Sequence, residues 1–358
     1  MYIESIELKN FRNYREESLT FDKGTNLFWG LNAQGKTNML EALYLAGTTK
    51  SHKGAKDRDM VKVGEEESHL RMILNKSDNP IRIDMHLKKK MAKGIAINGQ
   101  PIKRAADLFG LVSMVFFSPE DLNIIKNGPA ERRRFIDVEL SQIDRLYLMT
   151  LSRYQKCLMQ RGKLLQELDH NPARMPELDV WDEQLISYGE AVIEKRAEFI
   201  RDLNEIAAEI HHRLTGGVEK LALRYEPSAE KAAFREKLGS MRPRDLKYKT
   251  THAGPHRDDL CVLVNDMDAR LFGSQGQQRT AALSLKLSEI ALMKRHIHDT
   301  PILLLDDVLS ELDETRQNFL LEGIRDTQTF ITCTGIDEIA RSHFKIDRSF
   351  HVSAGGIS

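Results

Sequence analysis

The chain has 358 residues, more than one ordinary hydrophobic core encloses, so two lobes are expected. Its 53 Lys and Arg balance 53 Asp and Glu at a formal net charge of +0, which excludes a globally basic nucleic-acid binder and leaves any such contact to a local patch. No apolar run is long enough to span a bilayer. Cys157, Cys261 and Cys333 are too scattered for a disulfide framework or a cysteine metal site, so a soluble protein of the reducing cytoplasm is expected.

Strand-like alternation begins at once in Met1-Tyr2-Ile3-Glu4-Ser5-Ile6, so no targeting leader is expected. Ile3, Ile6 and Leu8, then Leu19 and Phe21, then Leu27 to Trp29 mark three strands, the last running into Gly30-Leu31-Asn32-Ala33-Gln34-Gly35-Lys36-Thr37. That segment fits G-x-x-x-x-G-K-[ST]. The glycines let backbone amides crowd around phosphate oxygens, the Lys36 ammonium reaches the terminal phosphates, and the Thr37 hydroxyl can ligate Mg²⁺. Met39, Leu40, Leu43 and Tyr44 follow at helical spacing, so the helix starting near Lys36 adds its positive dipole end. A strand before and a helix behind are the context this motif needs, and nucleotide binding follows.

Residues 69–99 read as a small antiparallel meander: Leu70 to Leu74, Ile81 to Leu87 and Gly94 to Ile97, with Asn98-Gly99 as a turn. From about Ala130 to Leu214 the chain becomes helical, with the Pro172 and Pro176 region as the turn between two long helices. Ile193, Ile200, Ala207 and Leu214 recur every seven residues, with Leu203 and Ile210 between them, a short coiled-coil-like seam that serves as core. His211-His212 and His296-x-His298 lack partner ligands and read as surface helix residues.

After Tyr248 strand character returns. Ser274-Gln275-Gly276-Gln277-Gln278-Arg279 opens a helical run from Thr280 to Lys294, a second helix start able to meet an anion, or an ordinary capped one. Ile302-Leu303-Leu304-Leu305-Asp306-Asp307 is a buried parallel strand ending in two carboxylates, followed by Ser310-Glu311-Leu312-Asp313. Such a strand end lies beside the phosphate loop of an α/β sheet, where Asp306 can hold Mg²⁺ and Asp307 can orient or polarise an attacking water.

Taken in order, the phosphate loop, the helical hairpin, the Ser-x-Gly-Gln motif and the acid-ended strand resemble the ATP-binding-cassette heads of SMC-like ATPases, in their bacterial gap-repair branch. Leu8-Lys9-Asn10-Phe11-Arg12-Asn13-Tyr14, Gly30 to Asn38, Phe117 to Leu122, Gly128-Pro129 with Arg132 to Asp137, Gly254 to Asp259, Ser274 to Arg279 and Leu303 to Asp313 carry the resemblance, over nearly the whole chain. It implies an α/β cassette head with an antiparallel β subdomain, from residues 1–118 and 250–358, and an inserted mainly helical lobe, 119–249. It further implies an ATP- and Mg²⁺-dependent homodimer that acts at gapped or junction DNA in recombinational repair and replication restart. RecR-type and RecO-type mediator proteins are the implied partners, and loading of recombinase the implied outcome, with no membrane involved.

Residue by residue, Gly30 to Asn38 would hold the nucleotide, Lys36 its phosphates, and Thr37 and Asp306 the Mg²⁺. Asp307 would be the catalytic acid, while Ser274, Gly276, Gln277 and Arg279 would act across the dimer interface. Transport-type cassettes place glutamate at Asp307 and histidine at Thr334, so a slow, timer-like ATPase is expected. Glu120 stands where many cassettes carry a magnesium-sensing glutamine.

Candidates for DNA contact are Lys88-Lys89-Lys90, Arg132-Arg133-Arg134, and Arg242, Arg244, Lys247 and Lys249, each of which reads equally as an ordinary solvated face. Phe135 and Ile136 tie the arginine run to packing, and no interleaved aromatic marks a stacking platform. A transporter's nucleotide-binding subunit would lack the helical insertion. A nucleotide kinase would share only the phosphate loop, and an SMC clamp carries far longer heptad arms.

Overall fold

The computed structural model describes residues 1–103, 107–108, 110–297, 299–335 and 345–358, which leaves His298 outside the described residues. The chain divides into two compact units, Met1–Asp121 with Glu289–Ser358, and Leu122–Ser288.

The first unit contains two sheets. Strands β1 (Tyr2–Phe11), β2 (Tyr14–Thr20), β4 (Glu67–Lys76), β5 (Asn79–Lys88), β6 (Gly94–Ile97) and β7 (Gln100–Pro101) form an antiparallel sheet in the order β2-β1-β4-β5-β6-β7. Alternation places Ile6, Leu8, Leu70, Met72, Ile83 and Met85 on its buried face and leaves charged residues on the other, as expected of a sheet wetted on one side. The second sheet runs β15 (Gly356–Ile357), β14 (Arg348–Ser353), β3 (Thr25–Trp29), β13 (Thr329–Cys333), β12 (Ile302–Asp306), β8 (Met114–Phe117). Its strands β14 to β8 are parallel, and β12 and β13 are buried at every residue.

The helix Lys36–Thr48 is buried almost all round, because apart from Glu41 its Met39 to Ala46 stretch is apolar and one core joins it to both sheets. Phe21, Phe28, Phe330 and Phe350 pack edge-on or stacked under the central strands, with ring centroids 4.9 Å apart for Phe28 and Phe350.

In the second unit the Arg145–Glu167 and Glu177–Leu214 helices pack against each other across the Pro172 turn. Asp144 caps the first of them by accepting from the Tyr147 amide at 2.9 Å. Ile193, Ile200, Leu203, Ala207 and Leu214 are buried as the seven-residue spacing requires, whereas Ile210 is only half-buried and Ile206 takes a core place instead. Strands β9 (Leu221–Glu226), β10 (Asp259–Val264) and β11 (Met267–Asp268) form a small antiparallel sheet in the order β11-β10-β9. Because β10 pairs with β9, residues 250–288 group with the helices, and the chain leaves this unit inside the Gln275–Ile297 helix, not at 249/250.

His211 corrects the surface reading given to it. It is fully buried, with Nδ1 2.9 Å from Ser284 Oγ and Nε2 3.3 Å from Glu219. Its helix turns one histidine inward and leaves the next, His212, exposed, a choice that adjacent letters do not reveal.

Among the described residues, no helix is long and apolar enough to cross a membrane.

Candidate nucleotide site

Strand β3 ends at Trp29 and the helix begins at Lys36, with Gly30 to Gly35 forming the loop between them. Gly30 at φ 148°, Ala33 at 64° and Gly35 at 122° turn the backbone through conformations that side chains resist. At Gly30 the requirement is also spatial, since a Cβ would lie 2.3 Å from the Val352 carbonyl oxygen of the neighbouring strand β14. Leu31, Asn32 and Ala33 form the exposed crest. The Lys36 ammonium bends back over the loop and donates to the Gly30 and Leu31 carbonyls at 2.6 and 3.0 Å.

The loop is fastened from outside by the segment that precedes it. Tyr14 donates its hydroxyl to the Gly35 carbonyl at 2.9 Å, Asn13 donates to the Gln34 carbonyl at 2.8 Å, and Asn38 donates to Asn13 Oδ1 at 2.8 Å. The Ala354 amide donates to Gln34 Oε1 at 2.6 Å, so the β14–β15 turn holds the far side. Arg12 grips Glu41 with two bonds of 2.7 and 2.8 Å, and Ser51 donates to the same carboxylate at 2.5 Å. The Leu8 to Tyr14 segment carries the family resemblance without a stated role; through Arg12, Asn13 and Tyr14 it fastens the loop and its helix.

Strand β12 delivers the acids. Thr37 Oγ1 donates to Asp306 Oδ1 at 2.9 Å, which puts the loop's hydroxyl and the strand's carboxylate together as the sequence order suggests. Both are hard oxygens, the donor type that Mg²⁺ takes. Thr332, which sequence reasoning did not single out, donates to the same Asp306 oxygen at 2.8 Å and accepts from the Asp307 amide at 2.9 Å. Its position opposite Asp306 follows only from the pairing of β13 with β12.

Asp307 adopts φ 55°, a left-handed conformation uncommon for a residue with a side chain, and Ser310 donates to its carbonyl at 2.8 Å. Burial pushes the Asp306 carboxyl above the ordinary aspartate range, against hydrogen bonds from Thr332 and Thr37 and the charges of Lys53 and Lys36. Asp307 is raised by burial and then by the negative charge of Asp306. A half-buried carboxylate with raised proton affinity is better suited to take a proton from water than a solvated one.

Thr334 follows β13 and is exposed, and Glu120 is exposed beyond β8.

In the other unit, Ser274 and Gln277 form a reciprocal capping box: the Gln277 amide donates to Ser274 Oγ at 3.2 Å and the Ser274 amide to Gln277 Oε1 at 2.9 Å. Gln278 is buried and donates to the Ala269 carbonyl, while Ser274, Gly276 and Arg279 are exposed.

The basic clusters differ in availability. Arg132 is buried and holds Asp259 with two bonds of 2.6 and 2.9 Å, and Arg133 donates to the Asp258 carbonyl, so these two arginines are structural. Arg242 pairs with Asp179 and Lys249 with Asp169, both at 2.5 Å, and Lys90 lies 3.6 Å from Glu66. Arg244 and Lys247 lie over the ring of Tyr248, which is 57% exposed. An aromatic is therefore interleaved in this cluster, contrary to the sequence reading.

The Gly254 to Asp259 segment is the centre of a buried polar network. Asp258 accepts from the Ser228 amide, from Tyr225 and from Arg196, and Arg196 also reaches Asp137 and the Pro255 carbonyl. His256 takes the Tyr154 hydroxyl at Nδ1, 2.6 Å away, and donates from Nε2 to the Thr251 carbonyl at 3.0 Å.

Residues 2–352 match the family model described as RecF/RecN/SMC N terminal domain. The chain is similar to the DNA replication and repair protein RecF of Agathobacter rectalis, 58% identical over 357 residues that span 100% of this chain and 99% of that one. To the protein of the same name from Acetivibrio thermocellus it is 42% identical, over 99% of each chain. Among solved structures it is similar to the recombination mediator protein RecF with ATP in the RecFOR pathway, at 36% identity and a TM-score of 0.93, covering 100% of this chain and 97% of that one. An SMC head bound to the C-winged helix domain of ScpA shares the fold, with a TM-score of 0.59 at 16% identity over 100% and 96% of the two chains.

Proposed function

This chain belongs to the RecF family of SMC-like ATPases, and we propose that it is an ATP-dependent DNA-binding protein whose two copies close on shared nucleotide. The observation that carries this reading is the contact between Thr37 and Asp306, which joins the phosphate loop to the acid-ended strand. Gly30 to Asn38 bind the triphosphate, Lys36 turns from the loop carbonyls to the phosphates, and Thr37 and Asp306 hold Mg²⁺. The ion, when bound, neutralises charge developing on the phosphates. Asp307 holds and polarises the attacking water. Ser274, Gly276, Gln277 and Arg279 meet the nucleotide of the second copy, so ATP closes the pair and hydrolysis releases it.

Hydrolysis is slow in this reading, because aspartate is shorter than the glutamate of transport cassettes and Thr334 offers no imidazole. Turnover as fast as that of a vigorous transporter would refute it. DNA is met through its backbone, at gaps or junctions, with Arg244 and Lys247 beside the exposed Tyr248 as contacting cations, and the dimer cooperates with RecR-type and RecO-type mediators in loading recombinase in the cytoplasm. The two solved relatives that carry nucleotide and the repair name of the curated relatives support this reading.

Analytical ultracentrifugation with and without ATP tests it. Lys36→Ala should abolish ATP-driven dimerisation, whereas Ser274→Arg should leave ATP bound to a monomer. Equal loss of nucleotide binding in both variants would overturn the shared site, and retention of gapped DNA that ignores nucleotide would overturn the coupling.

A further inference from the structure

The exposed face of the antiparallel sheet carries a cluster that the nucleotide chemistry does not use. Glu67 and His69 are two residues apart on β4 and therefore point to the same side, and His86 stands directly opposite His69 on β5. The imidazoles stack with ring centroids 4.0 Å apart and an interplanar angle of 24°. Both Nε2 atoms face one carboxylate: His86 Nε2 lies 2.8 Å from Glu67 Oε2, and His69 Nε2 lies 3.6 Å from Glu67 Oε1. One hydrogen bond accounts for His86, but 3.6 Å is longer than a hydrogen bond, so Glu67 does not satisfy His69 in that way.

We propose that Glu67, His69 and His86 form a binding site for a zinc-class divalent transition metal. One donor atom from each of the three lies within 4.8 Å of the others. Ligands about 2.0–2.1 Å from a tetrahedral Zn²⁺ are about 3.3 Å from each other, so the 2.8 and 3.6 Å separations bracket what coordination needs. Two neutral imidazoles and a carboxylate select Zn²⁺ over Mg²⁺, which takes oxygen ligands. The two strands fix the ligand Cα positions, leaving only side-chain rotation to close the site.

Three protein ligands leave a fourth position open to water or to a group supplied from outside. His69 and His86 also border an open groove of about 790 Å³, with Glu16, Lys9, Asp84 and Ile95 along it, which gives such a group room to enter. Lys88 stands opposite Glu67 and Lys9 opposite His69, and Arg71 is engaged with Glu7 and Asp84. These cations oppose a second positive charge, and the site therefore binds more weakly than a closed four-ligand site.

The test uses the full chain, stripped with chelator and free of nucleotide, titrated with Zn²⁺ against a chromophoric chelator. One Zn²⁺ per chain is expected, and His69→Ala or His86→Ala should weaken it by about 100-fold or more, since loss of a ligand costs at least what loss of its supporting bonds does. Co²⁺ should give the intense visible bands of a four-coordinate site, absent in His86→Ala. Both positions are solvent-accessible, so unchanged melting temperatures confirm folded variants. Failure of the parent chain to take up Zn²⁺, or undiminished uptake in the His69→Ala/His86→Ala double variant, would overturn the proposal.

Discussion

Replacing Thr332 with valine keeps the side chain's shape and removes one hydroxyl. That hydroxyl gives a hydrogen bond to Asp306 Oδ1 at 2.8 Å and receives one from the Asp307 amide at 2.9 Å. Asp306 loses one of its two hydroxyl donors and keeps Thr37, while the Asp307 amide loses its partner, an orphaned group that costs about 1–3 kcal/mol. The second loss has a geometric consequence. Asp307 is held at φ 55°, a conformation that costs about 1–3 kcal/mol and persists only while its neighbours over-determine it. Without the Thr332 anchor the backbone relaxes and the Asp307 carboxylate moves away from its place beside Asp306. A loss of about 1.4–2.7 kcal/mol in transition-state stabilisation corresponds to a fall in kcat of about 10- to 100-fold. ATP affinity, set mainly by the Gly30 to Lys36 loop, should change far less. Single-turnover hydrolysis beside equilibrium binding of a fluorescent ATP analogue separates the two quantities. Thr332→Ser, which keeps the hydroxyl, should retain most of the rate. If Thr332→Val hydrolyses ATP as fast as the parent, or if serine is as damaging as valine, the argument from this hydroxyl fails.

Gly30→Ala places a methyl group 2.3 Å from the Val352 carbonyl oxygen in a backbone conformation that already disfavours side chains, so nucleotide affinity by isothermal titration should fall by about tenfold or more. Arg196→Met leaves the buried Asp258 and half-buried Asp137 without their shared cation, and unfolding by urea should register a loss of about 3–5 kcal/mol, with partial recovery when Asp258→Asn is added. His256 is held neutral by burial, with its pKa lowered to about 4 from 6.5, and the nearby Arg257 and Arg133 charges add to the effect. The unfolded chain therefore takes up the proton first. This contribution is complete above pH 6.5 and is lost as pH falls from 6.5 to 4, by about 3 kcal/mol in all. Comparing urea midpoints of the parent and His256→Gln across that window should show a shallower acid slope in the variant; parallel slopes would exclude His256 as the source.

The parts of the molecule determined by local pattern were legible in the letters alone. Gly30 to Thr37 has a strand before it and a helix behind it, the local form its glycines allow and its motif calls for. The alternation of residues 69–99, the helices around Pro172 and the apolar strand ending in Asp306 and Asp307 are likewise short-range signals, and each lies where the spacing put it. What remained hidden depends on partners far apart in sequence. Thr332 matters because β13 happens to lie beside β12, 26 residues from Asp306 along the chain. Asn13, Tyr14 and Arg12 fasten the loop and its helix only once β1 and β2 have folded over them. His211 turned inward and Arg132 became structural because each helix face is assigned by what packs against it. Glu67, His69 and His86 meet because of strand register, since a shift of one residue would send β5's histidine to the opposite face. Local sequence thus determined which chemistry the chain carries, and tertiary packing decided which distant side chains hold that chemistry in place, because non-local contacts are selected by the burial of whole faces and not by neighbouring letters.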